Sequence, residues 1–266
     1  MALTTSRRQF LTLPVLGLLP LRAAIGRAEE QSVRSYEANV GVLFDLFTFS
    51  LKGNVTAEID RPGARYRVTM AGEGPGVTTG TEARGVIREG RFMPTETRGY
   101  YVLRGRESWV FLRYDYDRRL IEYHSVSYTL FLGRRRQVED VVRLAPGQQV
   151  DDVITAELNF AAGLLETDPE GAQLITVVRR ARPANEGPDD VSPDGYRAEL
   201  VTLRFRPAPE AGTGRLTALV DLTGFSSWAR AGRPARVAFS ATRRVEHVTS
   251  SLILGTSFTL RLTSSS

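Results

Sequence analysis

The chain of 266 residues contains no cysteine, and it contains few of the other residues on which common catalytic centres are built. The lack of cysteine excludes structural disulfides, thiol catalysis, iron–sulfur clusters, cysteine-ligated zinc and a lipid-anchored lipoprotein. His124 and His247 are the only histidines, so a histidine-rich metal centre is not expected. We find no Gly-x-Ser-x-Gly elbow, P-loop or His-Glu-x-x-His motif. The sequence therefore predicts neither a cofactor nor a metal site.

Lysine is almost absent as well, since Lys52 is the only one in the chain. Lysine and arginine together number 35 against 30 acidic residues, which gives a formal net charge of +5. Residues 1–28 contribute four of the arginines and no acid, so the rest of the chain holds 31 basic and 30 acidic residues. This near-neutral balance does not favour a nucleic-acid partner.

A single long apolar run lies near the N-terminus, at residues 11–21. It is shorter than the roughly 20 apolar residues that span a bilayer. Arg7 and Arg8 precede it, and a small-residue site at residues 26–28 follows it, which predicts a cleavable export signal over residues 1–28. The arginine pair is typical of the twin-arginine type. An amphipathic N-terminal helix is the alternative, but the run is apolar all round. We expect a periplasmic protein, soluble after cleavage and without a transmembrane span.

Apolar and polar residues alternate at period two through most of residues 29–266, which is typical of β-strands. Residues 60–63 contain Pro62 and Gly63 and predict a tight turn. Residues 185–195 contain two prolines and predict a long exposed hairpin loop. The predicted strands lie at about 36–44, 46–59, 64–71, 80–89, 95–104, 106–115, 120–132, 172–180, 196–205, 214–222, 235–245 and 250–262.

One segment, at residues 150–166, departs from period two because its apolar residues recur at steps of three and four. It predicts a helix whose apolar face packs on the sheet, with Asp151 or Asp152 at its start and Glu157 as the polar exception on that face. About ten or more strands curl or split into two layers rather than stay flat. We therefore predict a mainly β fold in a single domain at 29–266. Its sheet is large, curved and antiparallel, or forms a partly open barrel or two layers, and carries one packed helix.

Several short motifs follow one another in a characteristic order. They are SYEANVGV at 35–42, GVI at 85–87, GRFMP at 90–94, VDDV at 150–153 and GRPARV at 232–237. In these motifs the chain resembles the exported bacterial family catalogued as domain of unknown function 3108, over most of residues 35–262. The resemblance implies an envelope protein with a curved, partly open β architecture. It implies no particular activity.

Candidate catalytic groups are few, and each has a simpler structural interpretation. His124 shares a strand face with Glu122, as a general base and its carboxylate would, but a half-exposed sheet histidine is the simpler interpretation. The other candidates are the acidic pairs Asp115 and Asp117 (a hairpin tip), Asp151 and Asp152 (a helix cap), Asp189 and Asp190 (a loop), the surface residue His247, and the glycine-rich turn at 72–76. We predict no catalytic residue among them.

Candidate binding residues are aromatic or basic. The aromatic residues of the first half are mostly expected in the core or in cross-strand pairs, and those that line a cleft would suit an apolar or sugar ligand. The aromatic candidates are Tyr101, Trp109, Phe111, Tyr114, Tyr123 and Tyr128. The basic run Arg134, Arg135 and Arg136 is a candidate contact for anionic headgroups or phosphate-bearing glycans, with a solvated loop as the alternative.

Three functions remain open from the sequence. The leading hypothesis is a non-enzymatic envelope protein that holds an apolar, lipid-like or amphipathic molecule on the concave side of its sheet. A carboxylate-based hydrolase or glycan-modifying enzyme would instead bring two acids together in a pocket and perturb the pKa of at least one. A structural partner in envelope assembly would expose an apolar patch or an open strand edge.

Overall fold

The computed structural model describes residues 29–264, apart from residues 43, 45, 46, 130, 184, 185, 188, 194, 227 and 228. The predicted export signal at residues 1–28 lies outside the described residues. Within the described part, the chain forms sixteen β-strands, one α-helix and one short 3-10 turn at Ile253–Gly255. The strands and helix are β1 (Glu29–Val42), β2 (Phe47–Asp60), β3 (Arg65–Gly74), β4 (Val77–Arg88), β5 (Arg91–Leu103), β6 (Arg106–Asp115), β7 (Leu120–Tyr128), β8 (Arg135–Arg143), α1 (Val153–Ala162), β9 (Glu166–Thr167), β10 (Gln173–Arg180), β11 (Ala198–Phe205), β12 (Ala208–Pro209), β13 (Leu216–Val220), β14 (Ala235–Phe239), β15 (Val245–Ser251) and β16 (Ser257–Ser264).

The strands form one antiparallel sheet that curls but does not close into a barrel. Its order is β8-β7-β6-β5-β4-β3-β2-β1-β16-β15-β14-β13-β11-β10-β9, with β12 paired to β13. The first eight strands are therefore a meander, and β1 lies in the middle of the sheet between β2 and β16. The curl brings β8 near β11, where Asp140 accepts a hydrogen bond of 2.8 Å from the backbone N–H of Ala198.

Two glycines and one tyrosine mark a place where three central strands approach closely. Tyr36 of β1 lies opposite Gly53 of β2, which lies opposite Gly72 of β3. A Cβ atom on Gly72 would lie 2.1 Å from the Tyr36 hydroxyl oxygen, and a Cβ atom on Gly53 would lie 2.0 Å from the Ala71 carbonyl oxygen. The tyrosine side chain therefore occupies space that only glycine leaves open, and the missing side chains allow the sheet to bend here.

Helix α1 packs on the inner face of the sheet and joins two of its hydrophobic clusters. Leu158 packs with the buried residues of β1 to β5, among them Val55 and Phe92. Phe160 packs with the C-terminal strands, where its ring centroid lies 4.6 Å from that of Phe239 and 5.6 Å from that of Phe205. A third cluster, formed by β6 to β8 with β10 and β11, fills the curl on the other side. The helix therefore bridges the two halves of the sheet.

Polar side chains fix the position of α1. Asp152 caps its N-terminus by accepting hydrogen bonds of 2.9 Å from the backbone N–H groups of Ile154 and Thr155. The buried Asn159 accepts from the backbone N–H of Phe92 at 3.0 Å and donates to the Phe92 carbonyl at 2.9 Å. On the side that faces β1 and β15, the Glu157 carboxylate receives hydrogen bonds from Arg34 and Arg244, two cations at opposite ends of the sequence. The contacts of Asn159 connect the helix to β5, and those of Glu157 connect it to β1 and to the residue before β15.

The predicted fold class is confirmed, and several boundaries are corrected. The predicted helix at 150–166 is shorter, at Val153–Ala162, because Asp152 is its cap and Gly163, with a φ of 75°, ends it. Strand β8 was not predicted, because its charged residues stand in adjacent pairs, at 135–136 and 139–140, and interrupt the period-two alternation. The predicted strand at 235–245 ends at Phe239, before a turn in which Arg243 has a φ of 60°. The predicted strand at 250–262 is interrupted by the turn at Ile253–Gly255.

We expect the substitution Asn159→Leu to lower the free energy of unfolding by about 3 kcal/mol, because it leaves buried backbone groups of Phe92 and one oxygen of Asp151 without a partner. Urea unfolding followed by circular dichroism measures the change. Val153→Ala is the control on the same helix, since Val153 is 63% exposed and its truncation should cost less than about 0.5 kcal/mol. Equal stability of the two variants would contradict the anchoring role of Asn159.

Candidate functional site

Two cavities open at opposite ends of the inner face of the sheet. The strand-end cavity has a volume of about 710 Å³ and lies where β1, β5 and β7 end and β2, β4, β6 and β8 begin. The helix-end cavity has a volume of about 530 Å³ and lies between the β4–β5 turn, the β6–β7 turn, the segment after β8 and Leu164, two residues beyond the end of α1. Both volumes fall within the range of known ligand pockets, about 300–1,000 Å³.

The wall of the strand-end cavity is mainly apolar. Alternation along β1 and β2 directs every second side chain to the inner face, and those that reach this cavity are aliphatic or aromatic. The apolar wall consists of Val40, Val42, Phe49, Leu51, Val77, Tyr101, Leu103, Tyr128, Phe131 and Leu252. Among the described lining residues no side chain is acidic and three are arginines, namely Arg104, Arg106 and Arg136. The cavity is therefore apolar with a positive charge.

Thr256 adds a polar group to this wall. Thr256 is only 4% exposed, and its Oγ1 atom is buried without a hydrogen-bond partner in the described part of the chain. An unsatisfied buried hydroxyl is costly, so it marks a place where a ligand atom or a water molecule would be stabilised.

Arg136 is the buried member of the three arginines, with 8% of its surface exposed. Its Nε atom donates to the carbonyl of Asp190 at 2.9 Å, and a terminal nitrogen donates to the carbonyl of Gly187 at 3.3 Å. The carboxylate of Glu186 lies 3.7 Å from Nε. Arg136 therefore connects the cavity wall to the loop between β10 and β11, where the Glu186 carboxylate offsets its charge.

The six aromatic candidates separate into three locations. Tyr101 and Tyr128 line the strand-end cavity, whereas Tyr114 and Tyr123 are buried in the cluster formed by β6 to β8. Trp109 and Phe111 alternate with core residues of β6 and so lie on the outer face of the sheet. There Arg98 and Arg113 lie over the Phe111 ring, 5.3 and 5.8 Å from its centroid. Of the basic candidates, only Arg136 lines the cavity, and Arg134 and Arg135 are exposed elsewhere.

Asp151 and Asp152 carry two carboxylates that lie side by side in the interior of the described structure. Asp151 accepts hydrogen bonds from Arg91 at 2.8 Å and from Asn159 at 2.9 Å, one on each oxygen. One oxygen of Asp152 caps α1, and the other accepts from the hydroxyls of Thr97 at 3.0 Å and Thr155 at 2.7 Å. All four oxygens therefore accept hydrogen bonds from the protein itself, which is an arrangement that positions the helix.

Burial changes the protonation of this cluster. It raises the pKa of Asp151 to about 6, an effect that the Arg91 guanidinium opposes and the neighbouring Asp152 increases. It also raises the pKa of Asp152, against the hydrogen bonds from Thr155 and Thr97. The phenol of Tyr116, whose hydroxyl lies 3.4 Å from the Val150 carbonyl, has its pKa raised by burial and by Asp151. A perturbed carboxylate beside a cavity is the signature that the hydrolase hypothesis requires, but here every oxygen is engaged.

The other candidates lie apart from both cavities. Asp115 accepts from the backbone N–H of Arg118 at 2.8 Å and thus shapes the β6–β7 turn. Asp189 accepts from the backbone N–H of Leu132 at 2.8 Å and so holds two loops together. The imidazole of His124 stacks on Phe111 on the outer face, with ring centroids 6.2 Å apart. The turn predicted at 72–76 is shorter than expected: Pro75 and Gly76 form the β3–β4 turn, and residues 72–74 belong to β3.

His247 is more buried than predicted. Its Nε2 atom is buried without a hydrogen-bond partner among the described residues. Burial lowers its pKa, and three nearby cations, Arg261, Arg215 and Arg236, lower it further. In the described ranges no group of three or more metal-ligating side chains is positioned to hold a metal ion. Nor does any helix in them have the length and apolar character needed to cross a membrane.

The fold and the cavities define an open, curled β-sheet protein with one helix packed inside it. A scan against protein families finds no match, and no curated protein matches the sequence. Among solved structures, the chain is similar to a β-barrel-like protein of domain of unknown function DUF1849 from Brucella abortus. The similarity has a TM-score of 0.37 and 11% sequence identity, and it covers 88% of this chain and 96% of that chain. At this level it carries no argument about family or activity.

The raised pKa of Asp151 predicts a pH-dependent stability. A carboxyl whose pKa is raised by folding binds a proton more tightly in the folded state, so the free energy of unfolding should rise as the pH falls from about 6 to about 4. A shift of this size corresponds to about 3 kcal/mol. The measurement compares urea unfolding of the wild type and of Asp151→Asn at each pH. The stability difference between them should change across this interval and stay constant above pH 7; a constant difference throughout would contradict the raised pKa.

Proposed function

We propose that this protein is a non-enzymatic protein of the cell envelope that holds an apolar or amphipathic molecule in the strand-end cavity. The observation that carries the proposal is the cavity wall, in which ten apolar residues surround a space of about 710 Å³. Removing apolar ligand surface from water contributes roughly 25 cal/mol per Å², so a wall of this kind favours a hydrocarbon or aromatic body.

The charges of the wall favour a ligand that also carries an acidic group. Arg104 and Arg106 flank the tight turn between β5 and β6, and Arg136 lies buried beside the apolar surface. The Arg104 guanidinium lies 5.7 Å from the centroid of the Phe49 ring, which holds it close to the apolar wall. A cation beside an apolar cavity matches an amphipathic anion, with its chain against the aliphatic residues and its head near the guanidinium groups.

The compartment is part of the same proposal. The arginine pair, apolar run and small-residue site of residues 1–28 support export to the periplasm by the twin-arginine route. The motifs at residues 35–262 resemble those of the exported family catalogued as domain of unknown function 3108, although no family model matches the chain. A carrier or holder of an amphipathic molecule fits that compartment, because such molecules need a protein to cross the aqueous space between two membranes.

The first experiment is native mass spectrometry of the protein purified from the periplasm of its own organism, followed by organic extraction. We expect an adduct mass that extraction removes, and the extract then identifies the ligand. A clean unliganded mass would contradict the carrier proposal. It would favour the structural-partner alternative, for which the exposed Tyr100 and Trp109, paired across β5 and β6 on the outer face, are the specific observation.

The substitution Val77→Asp should weaken binding of an amphipathic anion such as oleate at least tenfold, because it places a carboxylate in the apolar wall beside the bound molecule. Displacement of a fluorescent naphthalene sulfonate dye gives the dissociation constant. Thr78→Asp is the matched control, since it adds the same charge one residue further along β4, on the exposed outer face. A similar loss in both variants, or none in either, would place the binding elsewhere.

Replacing both Arg7 and Arg8 by lysine should abolish export while leaving expression intact, because the twin-arginine pathway depends on the pair. Fractionation of cells and N-terminal sequencing of the exported wild type measure the outcome. The expected N-terminus lies near residue 29. Undiminished export of the double variant would exclude the twin-arginine route.

A further inference from the structure

We propose that the helix-end cavity is a second binding site, which takes a small polar molecule carrying a phosphate or carboxylate group. It lies at the opposite end of the inner face from the strand-end cavity, and the two share none of their lining residues. The inference is therefore independent of the apolar ligand proposed above.

Three arginines line this cavity, two beside the β4–β5 turn and one in the β6–β7 turn. Arg88 is the last residue of β4, Arg91 is the first residue of β5, and Arg119 lies in the β6–β7 turn. Glu89 is the one acidic side chain among the described lining residues. The side chains of Arg88 and Arg119 form no ion pair or hydrogen bond with the described part of the protein. Two guanidinium groups are thus available to a ligand at the mouth of the cavity.

Arg91 provides a fixed cation behind these two. Its guanidinium donates to the carbonyl of Leu164 at 2.7 Å and to Asp151 at 2.8 Å, and its side chain is only 13% exposed. Guanidinium carries five N–H donors, so these two bonds hold the group in place and leave others for a ligand. Because Asp151 and the end of α1 fix its orientation, Arg91 loses little conformational entropy when it binds an anion.

The remaining wall combines five apolar side chains (Met93, Leu144, Ala145, Val150 and Leu164) with polar groups, which suits a small molecule that has both kinds of surface. Gln148 and Gln149 line it beside Tyr116. The Oε1 atom of Gln149 is buried and has no hydrogen-bond partner among the described residues, which leaves an acceptor that a ligand hydroxyl or amide would satisfy. Burial keeps Tyr116 a neutral phenol, since its pKa is raised. These groups hydrogen-bond a polar body, while the three guanidinium groups bind its phosphate or carboxylate in the bidentate geometry that both anions offer.

Isothermal titration calorimetry of the full chain tests the proposal with two probes, inorganic pyrophosphate and citrate, at constant ionic strength. We expect saturable binding of at least one, with one molecule per chain. Binding of pyrophosphate alone identifies phosphate as the recognised group, and binding of citrate alone identifies carboxylate. Absence of saturable binding of both probes would overturn the proposal.

Variants of the β6–β7 turn locate the binding. Arg119→Ser should raise the dissociation constant at least tenfold. Arg118→Ser is the matched control: it removes the same charge from the adjacent, exposed residue, which does not line the cavity, and it should change the constant less than twofold. Glu89→Gln should tighten binding about threefold, because it removes the acid from the wall. If Arg118→Ser and Arg119→Ser weakened anion binding equally, the overall positive charge of the protein would account for the binding. That result would overturn the proposed site.

Discussion

The burial of polar side chains of α1 inside the curled sheet is the constraint on which the rest of the structure depends. A helix of ten residues is too short to be stable alone in water. It forms here because Asp152 caps it, Asn159 hydrogen-bonds both backbone groups of Phe92, and Glu157 is held by Arg34 and Arg244. The helix fills the middle of the inner face, where Leu158 and Phe160 pack on the two halves of the sheet. Two cavities with separate linings remain, one at each end of the inner face.

The same network explains why perturbed carboxylates here do not by themselves indicate catalysis. Asp151 and Asp152 have raised pKa values because they are buried, and they remain buried because Arg91, Asn159, Thr97 and Thr155 satisfy their oxygens. A catalytic carboxylate needs at least one oxygen that reaches the substrate. The pair instead lies behind the wall of the helix-end cavity, and its influence on that cavity is exerted through the position of Arg91.

Much of the fold could be predicted from the sequence, but much of the candidate site could not. Period-two alternation identifies strands such as β2 and β6 because one face of each is buried, and the 150–166 segment identifies α1 because its period changes. Alternation does not distinguish which face of a curled sheet is the inner one. Tyr101 and Trp109 therefore look alike in the sequence, although one lines a cavity and the other lies outside. Arg88 and Arg91 are neighbours across the β4–β5 turn, but Arg119 joins them only through the pairing of β5 with β6, which no local signal marks.

The position of β1 between β2 and β16 has a consequence for how the chain reaches its structure. Arg34 of β1 pairs with Ser264 of β16, so the central ladder joins strands from opposite ends of the described chain. Contacts of such large sequence separation form slowly. Until β16 has been synthesised, β1 presents a long unpaired edge in what will become the centre of the molecule, where it can pair with another copy instead. Pairing of β16 with β1 covers that edge and removes the risk of strand exchange between molecules.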